Sequence, residues 1–131
     1  MDINYQDLLK KAKEVSQNAY APYSNFPVGA CIIFESGNFY TGCNVENASY
    51  GLSLCAERNA LSTAIASGEK SKPLAIAIYS DKTTECLPCG ACRQWIYEFN
   101  PNCLIILEGA KNEIVNYSIS DLLPKPFVLK R

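Results

Sequence analysis

Apolar residues recur near the start of the chain at Tyr5, Leu8, Leu9, Ala12, Val15 and Ala19, close to one helical stripe, with lysines and a glutamate on the other side. This spacing predicts an N-terminal helix that ends before Pro22. Residues 28–34 read instead as a buried strand, Ser36-Gly37-Asn38 as a turn, and 39–43 as a returning strand, which together predict an antiparallel hairpin. Residues 44–53 follow neither period and read as loop. Ser53 is the expected N-cap of a helix running through Cys55, Glu57, Leu61, Ala64 and Ile65, with Gly68 as its C-terminal stop. Residues 74–79 form a short apolar strand, and a loop carrying Cys86 and Pro88 follows. From Cys89 a third helix places Cys92, Trp95, Ile96 and Phe99 at i, i+3, i+4 and i+7, until Asn100-Pro101 ends it. Residues 104–107 read as a strand and 114–117 as a weaker one, and Ser118 caps a last short helix through Leu123, stopped by Pro124.

The order helix, hairpin, helix, strand, helix, strand predicts an α/β layer fold around one sheet. No linker, repeat or low-complexity tract interrupts it, so one domain spanning 1–131 is expected. A chain of this length hides roughly two-thirds of its extended surface on folding. With 48% hydrophobic and 19% charged residues, it lacks the signature of disorder. Twelve Lys and Arg are interspersed among thirteen Asp and Glu for a net charge of −1, which argues against a nucleic acid polymer as partner and favours a small, weakly charged ligand. Apolar stretches fall short of the ~18 residues that a membrane span needs. The N-terminus has neither the basic head nor the apolar run of a signal peptide, so a cytoplasmic location is expected.

Seven cysteines then carry more weight than their number, because cytosolic thiols serve metal binding or catalysis far more often than disulfides. Histidine is absent, which excludes Ser-His-Asp and Cys-His catalysis and any imidazole base. Two of the expected helices open with thiols, in Cys55-Ala56-Glu57-Arg58 and Pro88-Cys89-Gly90-Ala91-Cys92-Arg93, where the positive end of the helix dipole favours thiolate. Cys55, Cys89 and Cys92 supply three soft ligands for one zinc ion and leave a fourth position to water. Glu57 is the candidate general acid and base, since a carboxylate beside the metal must do the work of the missing imidazole. Zn²⁺ with three thiolates carries one excess negative charge, which hydrogen bonds from Arg58 and Arg93 to the sulfurs would offset. Other readings remain. Buried cysteine also behaves as a small hydrophobe, Glu57 suits any helix first turn, and both arginines suit a surface. Cys86, Cys89 and Cys92 also form a C-x₂-C-x₂-C run, compatible with an iron–sulfur cluster or, with Cys55, a closed four-cysteine zinc module.

Several segments in order, Tyr23-Ser24-Asn25-Phe26-Pro27-Val28-Gly29-Ala30, Asn44-Val45-Glu46-Asn47-Ala48-Ser49-Tyr50, Cys55-Ala56-Glu57-Arg58, Pro88-Cys89-Gly90-Ala91-Cys92-Arg93-Gln94 and Leu122-Leu123-Pro124, resemble the small cytidine deaminases. The resemblance covers nearly the whole chain. It implies a three-layer α/β fold with a mixed sheet of about five strands and helices on both faces. It also implies hydrolytic deamination of cytidine and deoxycytidine in pyrimidine salvage, with Cys55, Cys89 and Cys92 holding one Zn²⁺ per chain and Glu57 as proton shuttle. By the same resemblance Asn44 and Glu46 would hold the ribose hydroxyls, Phe26 would pack on the pyrimidine, and the Ala56 N–H would bind the base carbonyl. A homotetramer is implied as well, with Tyr50 and Phe127 reaching a neighbour's pocket. The ending Pro124-Lys125-Pro126-Phe127-Val128-Leu129-Lys130-Arg131 departs from the family's more acidic tail. A nucleotide, a free base or a nucleoside antibiotic are the rival substrates, and Glu46 argues against the first by repelling phosphate.

Overall fold

A computed structural model describes residues 2–130. Helix α1 (Tyr5–Ser16) is followed by strands β1 (Gly29–Phe34) and β2 (Phe39–Cys43), helix α2 (Ala56–Ala66), strand β3 (Pro73–Tyr79), helix α3 (Gly90–Phe99), strands β4 (Leu104–Glu108) and β5 (Ile114–Ser118), and helix α4 (Ile119–Leu122). The five strands form one mixed sheet in the order β2-β1-β3-β4-β5, in which only β3 and β4 run parallel. The alternation of side chains along the central strands sorts the core into two halves. Ala30, Ile32, Phe34, Ile76, Ile78, Ile105 and Leu107 face α2 and α3, while Cys31, Ala75, Ala77 and Ile106 face Leu8, Leu9 and Ala12 of α1. The expected three layers, with helices on both faces of a five-stranded mixed sheet, are therefore present. Among the described residues no helix is long and apolar enough to cross a membrane.

Helix boundaries depart from the expected ones at functionally telling places. The first helix stops at Ser16, short of Ala19, because the chain turns there and Tyr20 enters a bridge with Val45. Ser53 does not cap α2. Its hydroxyl accepts from the Asn47 N–H at 3.0 Å, and Leu54 exchanges backbone bonds with Val45 at 2.9 and 3.0 Å, which keeps this stretch extended for two further residues. The cap is Cys55, at φ −75° and ψ 155°. Helix α3 begins at Gly90 with Cys89 as its cap, one residue later than expected. Ser118 caps α4 as expected, its side chain accepting from the Ser120 N–H.

Two glycines show what holds α2 in place. A Cβ at Gly42 would lie 2.4 Å from the Ala60 nitrogen and 2.6 Å from the Ala56 oxygen, so this glycine lets β2 and the first turns of α2 touch backbone to backbone. Gly68, at φ +92°, ends the helix in the left-handed conformation that other residues resist.

Candidate active site and metal centre

Strand β1 starts and strands β2 and β3 finish at the same end of the sheet, where Gly29 pairs with both Cys43 and Tyr79. The starts of α2 and α3 meet beyond that end. Because Cys55 and Cys89 are caps and not interior helical residues, their side chains project off the helix ends, and Cys92 comes up from the first turn of α3. The sulfurs of Cys55, Cys89 and Cys92 all lie within 4.8 Å of one another, and the Cys55 and Cys89 sulfurs are 3.8 Å apart. Two thiolates on a tetrahedral zinc, with bonds of about 2.3 Å, stand about 3.8 Å apart, so the donor set and its spacing fit one zinc ion. Cys86 is not a fourth member of this group. It lines the adjoining cavity, where burial pushes its thiol up to about 12. The closed four-cysteine arrangement is thus not formed among the described residues.

The same cap geometry solves a spacing problem. Residues at i and i+2 point apart in mid-helix, yet Cys55, outside the helix, and Glu57, in its first turn, line one cavity of about 180 Å³ together with Phe26, Asn44, Ala56 and Cys89. Glu57 is 4% exposed, and burial, aided by the neighbouring Cys55, pushes its carboxyl up to about 7. A carboxyl poised near neutrality both accepts and donates a proton. Ala56 is fully buried at the wall of this cavity, and its N–H belongs to the first turn, where no intrahelical acceptor exists.

The two arginines have different roles. Arg58 places Nη2 3.5 Å from Cys55 Sγ. A hydrogen bond from the Cys92 thiol and then the Arg58 guanidinium hold the Cys55 thiol low, to about 5, while the Cys92 thiol is correspondingly raised. Arg93 does not bond a sulfur. Its Nε donates to the Pro88 oxygen at 2.8 Å and its Nη1 to the Leu122 oxygen at 2.9 Å, so it ties the segment before Cys89 to α4. A side chain on α3 leans back toward the helix N-terminus, which brings it over Pro88 and between the two helices.

Asn44 and Glu46 are both already engaged. Asn44 Oδ1 accepts from the Val28 N–H at 2.9 Å, and its Nδ2 donates to the Phe26 oxygen at 2.9 Å. Glu46 Oε1 accepts the N–H groups of Tyr23 and Ser24 at 3.0 and 3.1 Å, and Oε2 accepts the Ser24 hydroxyl. The Ser24 hydroxyl and these N–H groups hold the Glu46 carboxyl below its ordinary value. Glu46 faces a second, larger space of about 320 Å³, shared with Tyr23, Ser24, Tyr50 and Ser53. Tyr50 is 74% exposed and rests against Tyr23, with ring centroids 5.9 Å apart. Phe127 stays away from both spaces: it is 71% exposed and its backbone exchanges two hydrogen bonds with the Gln94 side chain. Val28, Leu87 and the Tyr23-Ser24 turn are site features that sequence reasoning did not single out. The Ser24 hydroxyl two residues before Phe26 was the available signal, since such hydroxyls bond nearby backbone N–H groups.

Two helix starts converging on one sheet end, with three thiols in metal-binding array and a buried carboxyl beside them, define a metal-assisted enzyme site. Residues 2–108 match the family model described as the cytidine and deoxycytidylate deaminase zinc-binding region, and the chain belongs to that family. A cytidine deaminase of Sporosarcina psychrophila is 41% identical over 128 residues, which cover 97% of this chain and 92% of that protein. One from Halalkalibacterium halodurans is 42% identical over 123 residues, covering 93% and 92%. The crystal structure of cytidine deaminase from Burkholderia pseudomallei superposes with a TM-score of 0.88 at 42% identity and covers 95% of this chain and 100% of that one.

Proposed function

We propose that the chain deaminates cytidine and deoxycytidine hydrolytically, releasing uridine or deoxyuridine and ammonia. The observation that carries this reading is the three-sulfur group beside the buried Glu57 carboxyl. Cys55, Cys89 and Cys92 would hold the zinc ion, which would supply Lewis-acid activation of the attacking water. Glu57 accepts a proton from that water and passes it to the ring N3 as oxygen adds to C4. It then passes the second proton to the amino group, which departs as ammonia. The Ala56 N–H would donate to the base carbonyl, and Phe26 would lie against the ring, a reading supported by both residues lining the cavity that holds Glu57. Arg58, which donates to the Cys55 sulfur, would offset the excess negative charge of the site, whereas Arg93 donates to the Pro88 and Leu122 carbonyls.

Asn44 retains a second amide hydrogen and a second lone pair, and Glu46 retains one lone pair on Oε2, for sugar hydroxyls. Among the described residues no Lys or Arg lines either space, and Glu46 is anionic there, which favours a nucleoside over a nucleotide within a family that includes both substrates. The two spaces, of about 180 and 320 Å³, would take base and sugar in turn. Exposed Tyr50, Leu52 and Leu54, and exposed Phe127, Val128 and Leu129 on a segment anchored through Gln94, support a homotetramer in which Tyr50 and Phe127 complete a neighbour's site. Seven free thiols support a cytoplasmic location.

Ultraviolet monitoring of purified protein with cytidine, deoxycytidine, dCMP and cytosine tests the substrate. Conversion of the first two alone is expected, and turnover of dCMP in their place would overturn the nucleoside reading. Light scattering after size exclusion tests the assembly, and a fully active monomer would remove the shared site.

A further inference from the structure

The turn that carries Phe26 is held by side-chain bonds to the N–H groups of Tyr23, Ser24 and Phe26 and to the Phe26 oxygen, and by a backbone bond from the Asn25 N–H to the Ala21 oxygen. Asn25, just before the aromatic, sits at φ +55°, the left-handed conformation that asparagine adopts more readily than other non-glycine residues. The Phe26 N–H donates to Ser24 Oγ at 3.0 Å, and the Phe26 oxygen accepts from Asn44 Nδ2 at 2.9 Å. Both sides of this residue's backbone are therefore pinned by side chains. Ser24 is the pivot of the arrangement: its hydroxyl accepts from Phe26 while donating its own proton to Glu46 Oε2. Ser24 borders the sugar-side space with Glu46, and Phe26 borders the metal-side cavity with Glu57. One hydroxyl thus links the carboxylate at one end of the site to the aromatic at the other.

We infer that Ser24 is a positioning residue for nucleoside binding, which sets Phe26 against the base by locking its turn to Glu46. This rests on the nucleoside reading above and adds a residue to it. The bond direction supports the assignment: an anionic Glu46 has only acceptors, so the Ser24 proton must point to it, and the hydroxyl lone pairs are left for the Phe26 N–H. The hydroxyl's position leaves the three sulfurs and Glu57 untouched. Its loss should weaken ground-state and transition-state binding alike, which raises KM and leaves kcat nearly unchanged. Ser24 is exposed, so replacing it removes two hydrogen bonds and no core volume.

The test is steady-state kinetics of the zinc-loaded wild type and of Ser24→Ala, Ser24→Thr and Ser24→Val, on cytidine and on 2′,3′-dideoxycytidine, with zinc content and melting temperature alongside. Ser24→Ala and Ser24→Val are expected to raise KM for both substrates about tenfold, the scale of one or two lost hydrogen bonds, with kcat within about twofold. Ser24→Thr, which keeps the hydroxyl at the same bulk as valine, should restore KM. A KM effect confined to cytidine would show that Ser24 serves only a sugar hydroxyl and would overturn the inference, as would a wild-type KM in Ser24→Val. Lowered kcat and melting temperature with unchanged KM would also overturn it, by assigning Ser24 to folding alone. Failure of the wild type to convert cytidine would instead strike the nucleoside reading itself.

Discussion

Cys55 and Cys89 hold equivalent positions on two different helices: each is the N-cap, each is extended at ψ 155° or 168°, and their sulfurs lie 3.8 Å apart. The third sulfur comes from within a helix, from Cys92 in the first turn of α3. The Cys92 N–H in the first turn of α3 donates to Cys89 Sγ at 3.5 Å, while the Cys55 side chain accepts no cap bond from α2. A site of concentrated negative charge is thus set against the positive ends of two helix dipoles.

One zinc ion per chain is therefore expected, and Cys89→Ser should lose it. Cys86→Ala should keep both metal and turnover, because Cys86 lines the cavity without joining the sulfur group. Metal analysis of the purified variants checks this, and loss of zinc on changing Cys86 would revive a closed four-cysteine site.

Glu57→Gln should retain zinc and fold, since glutamine matches the buried side chain in size, while turnover falls by the ~10²–10⁴-fold associated with general acid–base catalysis. Near-normal activity of this variant would remove Glu57 from proton transfer.

The two arginines should separate cleanly. Arg58→Ala, which removes a charge from Cys55 Sγ, is expected to reduce turnover more than it reduces the melting temperature. Arg93→Ala releases the Pro88 and Leu122 carbonyls from a cationic donor, at a cost of about 1–3 kcal/mol of stability, and should act on melting first. Parallel melting curves and turnover rates decide it, and equal losses in both measures for both variants would defeat the distinction.

Much of this was legible in the chain because it depends on local pattern. The alternation of Ala30, Ile32 and Phe34 against Cys31 announced a strand buried on two faces, and the Ser36-Gly37-Asn38 turn, with Gly37 at φ +88°, announced its hairpin. Cys55, Cys89, Cys92 and Glu57 stood out because the lack of histidine left few other groups able to do chemistry. The errors lie where a distant segment decides the outcome. Ser53 has the chemistry of a helix cap, but Val45 holds its neighbour Leu54 in a bridge and moves the cap to Cys55. Arg93 resembles Arg58 in sequence context, yet a carbonyl 29 residues further on, at Leu122, draws it away from the metal site. Glu46 and Asn44 read as free acceptors only until the Phe26 turn folds back onto them.

A last expectation concerns Glu69, which lies far from the sulfurs and gathers five hydrogen bonds onto one carboxylate. Its Oε1 accepts from Ser36 Oγ at 2.9 Å, Asn38 Nδ2 at 3.2 Å and Tyr40 OH at 2.9 Å, and its Oε2 from the Ser71 N–H at 3.2 Å and Ser71 Oγ at 2.7 Å. The connection after α2 is thereby fastened to the β1–β2 hairpin, the same sheet edge on which Gly42 seats α2. The Ser71 hydroxyl, then those of Tyr40 and Ser36 and the Asn38 amide, hold the carboxyl from an ordinary 4.5 down to about 2. A folded-state value below the unfolded one means that the ionised carboxylate stabilises the fold. That contribution is complete above pH 4.5 and is lost as pH falls toward 2. Glu69→Gln, which has no charge to lose, should therefore be less stable than the wild type at neutral pH, and the gap should narrow steadily below pH 4.5. Denaturant midpoints of the two proteins across this range measure it, and a gap that stays constant with pH would show that the ionised carboxylate contributes nothing beyond the shape of its hydrogen bonds.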